Sequence, residues 1–294
     1  MKKTLTPLIT LLIILAVFSG CAGTPAPSEK TDDKVPQILQ EDKSAGPEII
    51  RVPVLLSETK YQRNDYIDTK TVNTYEEGSD RLIKSATYDN SSVVLETSSA
   101  EYSSDRALFS WFDRENNLLK KKMITYDKTG NVTAAVLYDN TGKQISRSVY
   151  KYEADNYLKS KWEIYDSADV LLGYNEYVYE NGNNIRTNSF SPAGTLEEYF
   201  LYKYSNDLMT DMSHYSKSGK KISGAVYTYN KDNLIASEII YKGEKSVINE
   251  IIYEYSEKEG KRTEKSIIKT PDGTVVETVE KVFAFIEKEI KPGK

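Results

Sequence analysis

The chain has 294 residues, enough for one large domain or two ordinary ones. It is 39% hydrophobic and 28% charged with a formal net charge of −5, and this acidic balance argues against nucleic acid or anionic lipid headgroups as charge-driven partners. One cysteine, Cys21, and one histidine, His214, exclude an intrachain disulfide, a Cys-built metal site and zinc sites that need a His pair.

The N-terminus reads as an export signal. Lys2 and Lys3 form a short positive segment, Leu8 to Phe18 is an uncharged apolar run, and the small residues Ser19 and Gly20 precede Cys21. The apolar run is well short of the roughly 20 residues that a membrane-spanning helix needs. Phe18-Ser19-Gly20-Cys21 resembles the lipobox of bacterial lipoproteins, with Phe18 where that motif usually has Leu. The resemblance implies cleavage before Cys21 and acylation of its sulfur and new amine, and two or three acyl chains make a stable anchor. The alternative is ordinary signal cleavage, for example after Ala22. The expected address is the cell envelope, with the chain lipid-anchored to a bacterial membrane and facing periplasm or exterior.

Residues 21–48 follow the signal of residues 1–20. They are rich in Pro, Ala, Ser, Gly and charge, and poor in aromatic and β-branched side chains. Such a segment buries too little apolar surface to offset its ordering entropy, so a tether is expected.

Residues 49–294 are organised by repeats. One motif begins with Tyr or Phe, often followed by Asp or Ser, and ends on a turn residue. It occurs at Tyr88-Asp89, Phe112-Asp113, Tyr126-Asp127-Lys128-Thr129-Gly130, Tyr138-Asp139-Asn140-Thr141-Gly142, Tyr165-Asp166, Phe190-Ser191 and Tyr215-Ser216. A second motif, Tyr-x-Tyr before an Asn/Asp turn, ends on Tyr152, Tyr179, Tyr204, Tyr229 and Tyr255, about 25–27 residues apart. Each period therefore holds two strands and two turns. The strands are rich in Tyr, Val, Ile and Thr with period-two alternation, and the Asn, Asp and Gly turns suit hairpins. The alternation places the Tyr-x-Tyr rings on one face, as a packing ladder rather than a ligand platform.

These features predict an all-β fold, an elongated antiparallel meander of tandem β-hairpins, with an open twisted sheet as its expected form. The stretch Val275 to Ile290 fits either spacing. Val276, Val279, Phe283, Ile286 and Ile290 suit a helix, whereas Phe283-Ala284-Phe285 repeats the Tyr-x-Tyr strand, which is favoured. The Tyr-Asp-x-x-Gly units at 126–130 and 138–142 resemble the YD repeats of the RHS family over roughly residues 85–285. The resemblance implies a long antiparallel meander and neither a toxin nor a peptidase. An array of this length is expected to stop short of the closed shell that large RHS proteins build.

No catalytic constellation is evident. The sequence lacks G-x-S-x-G, P-loop and dinucleotide fingerprints, so no cofactor is expected. His214 reads as a surface or edge residue at a strand end. The carboxylates Asp89, Asp113, Asp127, Asp139 and Asp166 sit at turn positions that the turns explain, and no EF-hand or nonapeptide calcium spacing occurs. The leading expectation is a non-enzymatic envelope lipoprotein that presents an extended β surface for adhesion, scaffolding or binding of an envelope or host protein or a glycan. A partner strand added to an exposed sheet edge is one expected mode. The alternative is a carbohydrate-active or cell-wall-remodelling envelope enzyme.

Overall fold

A computed structural model describes residues 48–63, 66–153 and 158–290. Cys21, the signal and all but the last residue of the tether segment lie outside the described residues. The strands are β1 (Glu48–Gln62), β2 (Tyr66–Tyr75), β3 (Leu82–Asp89), β4 (Val94–Tyr102), β5 (Arg106–Asp113), β6 (Leu118–Tyr126), β7 (Val132–Asp139), β8 (Gln144–Tyr152) and β9 (Lys159–Tyr165). They continue as β10 (Leu171–Glu180), β11 (Asn183–Phe190), β12 (Leu196–Ser205), β13 (Leu208–Ser216), β14 (Lys221–Tyr229), β15 (Ile235–Lys242), β16 (Ser246–Lys258), β17 (Lys261–Lys269) and β18 (Val275–Ile290).

Every strand pairs antiparallel with its neighbours in sequence, and β1 pairs with β18 as well as with β2. The meander of hairpins is therefore closed into an 18-stranded barrel. This corrects the expected open sheet, and it removes the exposed edge along which a partner strand was expected to add. The closing pair runs from Glu48↔Ile290 to Tyr61↔Thr278, so the stretch from Val275 is a strand and not a helix. Strands touch only their neighbours in the sheet. A round barrel of this strand number has a backbone diameter of roughly 35 Å from strand spacing and tilt, wide enough to leave an aqueous interior.

Closure needs curvature, and the turns and bulges provide it. At the β7–β8 turn, Asp139 Oδ1 accepts the Thr141 and Lys143 amides, and Gly142 takes a φ of 86°. Asp127 makes the same bonds to Thr129 and Asn131. These bonds hold the Asp127 and Asp139 carboxyls below the usual carboxylate range, the contacts with the Thr hydroxyls contributing most. A bulge follows each such turn: Leu137↔Ser146 is succeeded by Tyr138↔Gln144, which leaves Ile145 unpaired. Bulges bend the strand and increase its local twist, which is what turns an open ribbon into a wall.

The two faces of that wall differ. In β14 the alternate residues Ser223, Ala225, Tyr227 and Tyr229 are buried or half-buried, whereas Ile222 and Thr228 on the other face are exposed. In β10 the same holds for Asn175, Tyr177 and Tyr179 against Leu172 and Val178. In these strands the Tyr-x-Tyr rings lie on the less exposed face, and side chains crowd where a closed barrel turns them inward, which assigns these rings to the lumen.

Candidate functional site

The lumenal wall is built on a repeated device near one rim. Where strand pairs bulge there, a tyrosine hydroxyl from the next pair donates to a backbone carbonyl beside the bulge. Tyr75, Tyr102, Tyr152, Tyr179, Tyr204, Tyr229 and Tyr255 donate to the carbonyls of Leu55, Leu82, Val132, Lys159, Asn184, Met209 and Ile235 at 2.6–3.0 Å. Each acceptor lies 20 positions before its tyrosine and directly before the residue that the bulge skips.

Two positions depart from the rule for one reason. The β4–β5 and β16–β17 hairpins carry no bulge. Tyr126, which follows the first, has no hydrogen-bond partner for its hydroxyl among the described residues. The position that follows the second is occupied by Phe283, which pairs with Leu55 as Tyr204 pairs with Met209.

Within this tyrosine wall lie three groups of polar side chains. His214 is 7% exposed, stacks on Phe200 at 4.3 Å, and meets Glu198 through Nε2 at 2.8 Å. Its Nδ1 lies 3.5 Å from Ser223 Oγ. His214 is thus a lumenal residue and not the surface or edge residue expected. The sequence signal for this was its place in the alternation, on the same face as Met212. The Ser223 separation is at the outer limit of a hydrogen bond, longer than an activated nucleophile makes to its base.

The second group is Glu238, 6% exposed, which accepts a hydrogen bond from Tyr253 Oη at 3.3 Å. Burial raises its carboxyl pKa, and the Tyr253 and Tyr227 hydroxyls offset part of that rise. Burial likewise pushes Tyr177, Tyr227 and Tyr253 upward, so these hydroxyls remain protonated donors. The third group is Lys159, whose ammonium lies 5.0 Å from the Tyr150 ring and 5.5 Å from the Tyr177 ring. Burial lowers its pKa. Tyr150 also stacks on Trp162 at 6.0 Å, and the buried Trp162 Nε1 has no hydrogen-bond partner among the described residues. Among the described residues no three metal-ligating side chains gather to hold an ion.

The outer wall has different chemistry. Tyr174 stacks on Phe190 at 5.0 Å, and Tyr199 stacks on Tyr215 at 5.1 Å. Cations cover several of these rings: Arg147 lies 4.0 Å from Tyr165, Lys161 3.8 Å from Tyr174, and Arg186 4.3 Å from Tyr199. Lys151 pairs with Glu163 at 2.9 Å and Arg147 with Asp169 at 2.9 Å. The first-motif aromatics Tyr165, Phe190 and Tyr215 therefore face outward, opposite to the Tyr-x-Tyr rings.

No protein-family model matches the chain, and no curated protein matches it. Among solved structures it is similar to a porin-like protein from Bacteroides uniformis, at 10% identity over 79% of this chain and 96% of that one, with a TM-score of 0.43. It is also similar to TcdB2-TccC3 without its hypervariable C-terminal region, at 11% identity over 80% of this chain, with a TM-score of 0.17. The match spans 22% of that longer chain.

Proposed function

We propose that the chain is a non-enzymatic cell-envelope lipoprotein, anchored through Cys21, whose barrel stands in water and binds a protein partner on its outer wall. The observation that carries this reading is the outer strip of stacked aromatics and arginines from β8 to β13. Arg147, Lys161 and Arg186 project from within their strands on the outer face. On a lipid-facing surface, each such cation near the bilayer midplane costs about 2–4 kcal/mol. The strip suits water, and its Tyr, Phe and Arg content is the composition of protein-binding hot spots. The tether segment at residues 21–48 would hold the barrel off the membrane.

The enzymatic alternative has less support. Glu198 is engaged by His214, and Glu238 by Tyr253. A glycosidase needs two carboxylates turned to one substrate.

The test has two arms. Fatty-acid labelling of the full chain should vanish in Cys21→Ala, and persistence of the label removes the anchor. A partner captured from envelope extract by the wild-type chain should be lost from the Arg186→Ala/Tyr199→Ala variant at unchanged melting temperature. Equal capture by both removes the outer strip as the binding surface.

A further inference from the structure

The β16–β17 hairpin differs from its neighbours in a way that creates a pocket. In β12–β13 one residue pair, Ser205↔Leu208, follows Tyr204↔Met209 before the turn. In β16–β17 the ladder carries no bulge and continues beyond Tyr255↔Glu264 through Ser256↔Thr263, Glu257↔Arg262 and Lys258↔Lys261. The extended hairpin lies at the same rim as the adjacent Asn230–Leu234 turn.

Between hairpin and turn lies a pocket of about 450 Å³, lined by Asn230, Asp232, Leu234, Tyr253, Tyr255, Ser256, Glu257 and Arg262. Its volume falls in the range of small-molecule sites. The tyrosines are held in place by their hydroxyls, Tyr255 on the Ile235 carbonyl and Tyr253 on Glu238. Asn230 Oδ1 accepts the Asp232 and Leu234 amides and fixes the turn.

Arg262 is the unusual member. Its guanidinium lies over Phe283 and Phe285 at 5.4 and 5.3 Å, and its buried Nε has no hydrogen-bond partner among the described residues. Among the described residues it makes no ion pair. A guanidinium placed by aromatic rings and in no ion pair, although Glu257 stands opposite it in the ladder, can take a carboxylate through two parallel hydrogen bonds. Asp232 and Glu257 line the same space and supply negative charge for a cation. We infer that this rim pocket binds a small zwitterion of the α-amino-acid class, with the carboxylate on Arg262 and the ammonium toward Asp232 and Glu257. The tyrosine rings and Leu234 accommodate the apolar body of the ligand. The inference does not rest on the lipid anchor or on the outer strip.

The test is saturation-transfer NMR on the full-length chain in detergent with the common α-amino acids, one at a time, with acetate and methylammonium as single-charge probes. At least one amino acid should bind saturably, and both single-charge probes should bind roughly tenfold more weakly or worse, because each satisfies one end of the site. Arg262→Gln and Asp232→Asn should each weaken binding of that amino acid by roughly tenfold or more. Circular dichroism melts establish that each variant is folded, and Asp232→Asn, on an exposed turn, decides alone if Arg262→Gln does not fold. Absence of saturable binding by every amino acid overturns the inference, as does unchanged affinity in either folded variant or equal affinity for acetate.

Discussion

The Tyr204 hydroxyl donates to the Asn184 carbonyl at 3.0 Å, across the boundary between two hairpins. The bulge at Tyr179↔Asn184 skips Ile185, the residue directly after Asn184. The bulge that bends the strand and the tyrosine of the following hairpin thus meet at one carbonyl.

Loss of that hydroxyl should be measurable where an acceptor exists and silent where none does. Tyr204→Phe should lower unfolding free energy by about 0.5–1.5 kcal/mol. Tyr126→Phe should be neutral, and Phe283→Tyr should give no gain, because both follow unbulged hairpins. Tyr204→Ala and Tyr229→Ala also lose ring burial, which adds about 1.5–3 kcal/mol where burial is complete. Urea unfolding of the series is the measurement. Equal losses for Tyr204→Phe and Tyr126→Phe would contradict the pairing of hydroxyl with bulge.

Gly173 is required by close approach and not by its φ. A Cβ there would stand 2.7 Å from the Phe190 carbonyl oxygen, a backbone atom in the ladder. Gly224 meets the Met212 carbonyl oxygen in the same way at 2.8 Å. Gly173→Ala should therefore destabilise by about 1–3 kcal/mol, as overpacking does. A thermal melt matching the wild type would mean that the wall yields at that point.

Glu238 should make stability fall as pH rises. Its pKa in the folded chain is raised, chiefly by burial. The folded state therefore holds the proton more tightly than the unfolded one does. The resulting stabilisation is complete below the unfolded pKa of about 4.3 and is lost as pH rises through the folded pKa. Glu238→Gln should melt higher than the wild type at neutral pH, by roughly 2–4 °C per kcal/mol recovered, and the difference should shrink to nothing below about pH 4. A variant that melts lower at neutral pH would show that the ionised carboxylate is the form the tyrosines prefer.

Closure by β1 and β18 should govern solubility as well as stability. Removal of residues 48–62 leaves β2 and the sixteen-residue β18 with unpaired backbone edges. Such edges template association with other chains. The deletion variant should form oligomers or aggregates in size-exclusion chromatography with light scattering, whereas the full chain stays disperse. A monomeric deletion variant with a cooperative melt would show that the meander stands without closure.

The local architecture was legible in the residues themselves. Period-two alternation placed Tyr202 with Tyr204, and Tyr227 with Tyr229, on one face. The Asp-x-x-Gly turns at 127–130 and 139–142 announced hairpins, and the Tyr-x-Tyr spacing set the repeat. These are short-range signals, because a side chain's face and a turn's φ depend on neighbours within a few residues.

Barrel closure, the environment of His214 and the rim pocket were decided only by the tertiary structure. Closure depends on small bends summed over many bulges until β18 meets β1, and no single hairpin encodes that sum. The placement of His214 against Glu198, and of Tyr204 against the Asn184 carbonyl, follows from cross-strand register, which relates residues 15–20 positions apart. The pocket at Arg262 is bordered by a hairpin that is unbulged and runs three residue pairs past Tyr255↔Glu264. A bulge is one extra residue in a pairing, and pairing exists only once two strands lie side by side.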